Sequence, residues 1–90
     1  MKTKKLEKFE IGKYYKAQKY KDIIYYITPT DDGFGINIKD NKFKKGESYI
    51  MVESHIFLEP NECVEIKYQE FLEAKNRVFT KINQQLSTDN

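Results

Sequence analysis

Cysteine and histidine occur once each in this 90-residue sequence, tryptophan not at all, and no long apolar run is present. With Cys63 alone, no internal disulfide can form, which excludes the stapled scaffold of a small secreted domain. A single histidine, His55, with no C-x-x-C and no H-x-x-x-H, leaves no metal-ligand spacing. No stretch approaches the ~18–20 apolar residues that a transmembrane helix needs. Met1 to Lys8 is basic, but no apolar run follows it, so it does not read as a signal peptide. No asparagine stands in an N-x-[ST] pattern, and the cytoplasm is the expected location.

Catalytic patterns are equally sparse. Ser54 and His55 are neighbours, and adjacent residues of one strand point to opposite faces, so they do not form a nucleophile and its base. Read as an EF-hand loop from Asp31, the twelfth position is Lys42, where a glutamate is required. Gly33-Phe34-Gly35 opens like a dinucleotide fingerprint, but Ile38 stands at the third glycine and the segment continues as a strand. Glu53 with Glu65 is one carboxylate pair that two strands could bring together, but nothing in the sequence raises it above chance, and surface acids on strands are usually solvated. The sequence therefore reads as non-enzymatic, with no catalytic residue, metal or cofactor.

What is present is a polar chain rich in aromatics. A third of the residues are charged and the mean hydropathy is −0.78, yet there are seven tyrosines and six phenylalanines. Large flat side chains give much buried area per residue, which helps one short domain form a core. The net charge of +2 is unevenly spread. Residues 1–45 carry twelve lysines against six acids, and residues 46–90 carry three lysines and Arg77 against eight acids. Such asymmetry marks a basic binding face, or it cancels when the halves meet in the fold.

The pattern along the chain predicts one α+β domain over residues 1–90. Residues 1–10 are a charged lead-in, 11–66 a β-rich part, 68–86 a helix and 87–90 a tail. The first strand runs from Gly12 to Tyr20 and reads as an edge or partly exposed strand. Ile23 to Thr28 is apolar on both faces and reads as central. Asp32-Gly33 is a hairpin-turn pair. A strand follows from Phe34 to Lys39, then a polar loop over Asp40–Glu47. Tyr49 to Glu53 and Val64 to Ile66 are further strands, with Ile56-Phe57-Leu58 between them. Apolar residues at spacings of three and four predict the helix from Tyr68 to Leu86, with Glu73 and Arg77 as an i,i+4 pair. The predicted core is Ile23, Ile24, Tyr25, Ile27, Phe34, Ile36, Ile38, Ile50, Val52, Ile56, Leu58, Val64, Ile66, Phe71, Leu72, Val78, Phe79 and Ile82. The expected fold is a curled antiparallel sheet of about five strands, or an SH3-like barrel, with one C-terminal amphipathic helix.

One segment interleaves basic and aromatic residues: Lys13, Tyr14, Tyr15, Lys16, Lys19, Tyr20 and Lys21. The loop with Phe43, Lys44 and Lys45 repeats the theme. Small β-barrels hold single-stranded nucleic acid this way, with lysines on phosphates and tyrosines stacked on bases. The rival reading is a protein-binding surface. Lysines on an edge strand deter aggregation, and exposed tyrosines favour protein interfaces.

The opening Gly12-Lys13-Tyr14-Tyr15, the short strands with Gly and Asp turns, and the strand-to-helix passage from Val64 to Ala74 resemble small SH3-like barrel proteins of phages and prophages. The likeness runs over about residues 9–80. Lys67 departs from it, standing where Ser or Thr would cap the helix, as does the long Asp40–Glu47 loop. The resemblance implies a phage or mobile-element accessory protein, such as an inhibitor or adaptor of a host complex, in the host cytoplasm or the phage particle. It implies no shared catalytic residues. A protein partner is the first expectation, nucleic acid the alternative, and no membrane is involved.

Overall fold

Residues that are apolar on both sides of a strand need cover on both sides, and the segment around Ile23 to Thr28 has it. The structure, a computed structural model, describes residues 8–31, 35–53 and 58–88. Five strands, β1 (Tyr14–Tyr20), β2 (Ile23–Pro29), β3 (Gly35–Asn41), β4 (Tyr49–Glu53) and β5 (Val64–Ile66), form one antiparallel sheet in the order β4-β3-β2-β1-β5. Helix α1 (Tyr68–Thr88) packs on one face. The fold is α+β. β4 and β5 are opposite edges, and among the described residues no ladder joins them, so the sheet is open.

The strand register sorts the core into two layers. Tyr26 of β2 pairs with Ile38 of β3, and Ile38 with Ile50 of β4. This row, with Tyr14, Ile24, Ile36 and Ile66, meets Phe71, Ala74, Val78 and Ile82 of α1. On the other face Tyr15 pairs with Ile27, and Ala17 with Tyr25. Leu58, Cys63 and Phe9 close over them. A fully buried side chain of this size contributes about 1.5–3 kcal/mol, so two thin layers together hold a short chain.

Several expectations change. β1 is not an edge strand: Tyr14–Lys16 is flanked by both β2 and β5, and only its second half lacks the β5 partner. β3 extends through Asp40 and Asn41, both buried, which the polar composition had placed in a loop. What remains of that loop holds a short 3-10 turn over Lys45–Glu47. Val52, Val64 and Phe79 are exposed, not core, because β4 and β5 are edges and Phe79 turns away from the sheet. Tyr15, Ala17, Tyr26, Cys63 and Ala74 take core positions. Glu53 and Glu65 lie on opposite edges and do not meet. Arg77 pairs with Asp40, while Gln69 donates to Glu73. Asp32-Gly33, Phe34, Ser54, His55, Ile56 and Phe57 lie outside the described residues, as does the lead-in before Lys8.

Candidate functional site

The basic–aromatic segment divides into two unlike parts. In the first, every group is engaged within the fold. Tyr15 is 1% exposed, stands edge-on to Phe9, and its hydroxyl accepts the Glu10 N–H at 2.9 Å. Tyr14 packs between Tyr68 and Phe71. Lys13 reaches Glu65 at 3.4 Å, Lys16 reaches Glu70 at 2.5 Å and Lys19 reaches Glu62 at 2.5 Å. Glu62 is aimed by its own turn, since its carboxylate also accepts the Glu59 N–H at 2.9 Å. The Lys19 hydrogen bond lowers the Glu62 carboxyl below its ordinary range and raises the Lys19 ammonium above its own. These pairs are solvent-exposed and add little stability. What they do is neutralise the lysines of β1.

Every ion pair among the described residues joins a group from residues 1–45 to one from residues 46–90. Over much of the molecule the uneven charge of the sequence thus cancels on folding.

The second part converges at one end of the sheet. Tyr20 and Lys21 close the β1–β2 hairpin, and Phe43 and Lys44 follow β3. The Lys42 N–H donates to the Asp22 carbonyl at 2.8 Å and ties the two loops together. Tyr20 and Phe43 are 67% and 76% exposed. Lys44 lies 3.6 Å from Glu47. The Lys45 side chain lies outside the described ones.

Beside this end, Asp40 is buried between β3 and α1. Arg77 Nε donates to its carboxylate at 3.1 Å, and Lys81 Nζ donates to the other oxygen. Arg77 Nη2 donates to the Tyr26 hydroxyl at 3.2 Å, and Lys81 Nζ to the Asn41 carbonyl at 3.1 Å. Burial raises the Tyr26 phenol above the ordinary tyrosine range; Asp40 adds to the shift and Arg77 opposes it. Sequence reasoning missed this cluster, because it counted Asp40 as loop and gave Arg77 to Glu73. A trough flanks the cluster on the side of α1 that faces β2 and β5. One cleft of about 500 Å³ is lined by Ile24, Tyr26, Asp40, Lys42, Arg77 and Lys81. A wider one of about 740 Å³ shares Tyr26 and Arg77 and continues past Glu65, Glu70 and Glu73. The trough is basic at one end and acidic at the other.

The third feature is the β4 edge. Among the described residues no strand pairs with its outer side. Neighbouring Met51 and Val52 point to opposite faces of the sheet, and both are exposed, Val52 at 66%. Helical spacing puts Tyr68, Phe79 and Leu86 on the flank of α1 opposite Arg77, and all three are exposed. Tyr68 packs on Tyr14 of β1, while Phe79 and Leu86 stand on the side of the helix away from the trough.

Cys63 is buried under the β1–β2 layer, and its thiol is pushed up to about 11, chiefly by burial. A thiol with its pKa raised in this way is a poor nucleophile at neutral pH. At pH 8 it holds about a hundredfold less thiolate than an ordinary cysteine. Alkylation by iodoacetamide at that pH should therefore be at least that much slower in the folded protein than in urea. The raised pKa also means that the unfolded chain loses this proton first, so stability falls as the pH rises from 9 toward 11.

Among the described residues no group of three or more His, Cys, Asp or Glu is placed to hold a metal, and no helix is long and apolar enough to cross a membrane. No protein family, no curated protein and no solved structure matches the chain.

Proposed function

We propose that this chain is a non-catalytic protein-interaction module that takes an extended segment of a partner protein along the outer side of β4. The observation that carries this reading is the character of that edge. Exposed edges are normally blunted by lysine, proline or shortness. β5, at the other edge, is three residues long, and β1 beside it carries two lysines. β4 reads Tyr49-Ile50-Met51-Val52-Glu53, with five residues, no lysine and no proline. An added strand gains main-chain hydrogen bonds from such an edge, and alternate side chains set its specificity. On one face it meets Met51. On the other it meets Val52 and the apolar flank of α1 with Phe79 and Leu86. The likeness to small phage-encoded proteins makes proteins of a bacterial host the first partners to test, in an inhibitor or adaptor role.

A photo-crosslinking residue in place of Met51 should capture a discrete partner from a bacterial lysate. Adding Val52→Lys should lower that capture about tenfold or more, because a bound strand would bury an unpaired charge. The same crosslinker in place of Gln69, on the trough side of α1, should capture none. Equal capture from both positions would contradict the reading.

A further inference from the structure

The basic end of the sheet lies apart from the β4 edge and has its own logic. Two large aromatic side chains, Tyr20 and Phe43, stand in solvent there. They are held out by loops that are already built. The Asn41 side chain is buried, and its Oδ1 accepts the Phe43 N–H at 3.1 Å and the Lys44 N–H at 2.9 Å. Ser48 Oγ in turn accepts the Asn41 N–H at 3.0 Å. The Lys42–Asp22 backbone bond fixes the neighbouring hairpin against this loop. Phe43 is thus displayed by a turn with satisfied hydrogen bonds.

Lysines flank both aromatics along the chain, Lys19 and Lys21 beside Tyr20 and Lys42 and Lys44 beside Phe43. Lys21 and Lys42 form no ion pair among the described residues, in contrast to Lys13, Lys16 and Lys19. Lys42 also lines the cleft of about 500 Å³, where it, Arg77 and Lys81 face the single carboxylate of Asp40. That cleft holds two positive charges beyond what Asp40 neutralises. Asp22, Glu47 and Glu73 are the other acids close by; Glu47 is engaged by Lys44 and Asn41, and Glu73 lines the wider cleft with Arg77.

We infer that this end binds single-stranded nucleic acid, with Tyr20 and Phe43 stacking on bases and Lys21, Lys42 and Arg77 taking the phosphates. A single strand offers both unstacked flat bases and a regular row of anions, and the end offers a partner for each. An acidic peptide would satisfy the cations but would leave both rings without a role. A duplex keeps its bases stacked and gives the rings no surface. Binding of this kind tolerates any sequence and weakens steeply with salt. The inference uses no residue of the β4 edge, so each reading stands or fails without the other.

The test is fluorescence anisotropy of labelled oligothymidine, about fifteen nucleotides long, with the full chain at roughly 50 and 200 mM salt. Micromolar binding at the lower salt, much weaker at the higher, is expected. Phe43→Ala should weaken it about tenfold, the usual scale for losing one stacked base. Lys42→Glu should weaken it comparably and make the salt dependence shallower. Lys75→Glu, the same charge change elsewhere on α1, should stay within about twofold. Circular dichroism checks that each variant is folded. Three results would overturn the inference: no binding at low salt; Lys75→Glu as damaging as Lys42→Glu with Phe43→Ala silent; or a duplex or polyglutamate binding as tightly as the single strand.

Discussion

Asp40→Ala is expected to destabilise the fold by about 3–5 kcal/mol, a large share of what a domain of this size has in total. The Asp40 side chain is 2% exposed and sits where β3 passes under α1. It accepts from Arg77 and Lys81, one helical turn apart, and so fastens that turn of the helix to one point of the sheet. Without the carboxylate, two neighbouring cations of α1 lose the charge that holds them to the sheet, and Lys81 is too deeply placed to reach water freely. The loss exceeds that of any single cation, because Lys81→Ala still leaves Asp40 its Arg77 partner. Asp40→Asn keeps the shape and isolates the charge. Urea unfolding of the three variants gives the order. A loss below about 1 kcal/mol for Asp40→Ala would mean that the cluster is solvated like an ordinary surface pair.

The second large effect has the opposite sign. Asn37 lies on the other face of β3, between Ile27 of β2 and Met51 of β4. It is 1% exposed, and among the described residues neither its Nδ2 nor its Oδ1 has a hydrogen-bond partner. A buried amide without partners costs about 1–3 kcal/mol of desolvation. Asn37→Leu keeps the shape of the side chain and removes that cost, so it should stabilise the protein by about 1–3 kcal/mol in the same unfolding measurement. A destabilised variant would show that the amide is satisfied in solution, by water or by another part of the chain.

Much of this architecture was legible in the residues, and the exceptions have physical reasons. β4 and the start of α1 follow from local signals: a short run of strand-forming residues at Tyr49–Glu53 and the helical spacing from Tyr68 onward. Asp40 and Asn41 were misplaced because no local rule puts Asp and Asn in a strand. Their strand character comes from pairing with Ile24 and Ile23, and for Asp40 also from the cations of α1. In β1 the alternation separated Tyr14 from Tyr15, but not which face was covered, since both are. The charge imbalance between the two halves was plain. That Lys13, Lys16 and Lys19 would be neutralised while Lys21 and Lys42 would not depends on where Glu62, Glu65 and Glu70 fold. The same holds for the β4 edge: a run of apolar residues looks alike in the middle of a sheet and at its border, and only the strand order distinguishes them.

Amide hydrogen exchange of the isolated protein, followed residue by residue, tests the openness of that edge most directly. Outward-facing amides within Tyr49–Glu53 should exchange much faster than those of β2 and β3, and at a rate independent of protein concentration. Added partner should slow them while leaving the β1–β2 hairpin unchanged. If β4 is as protected as β2 in the free monomer, its outer side is already covered by the chain itself, and the proposed docking surface does not exist.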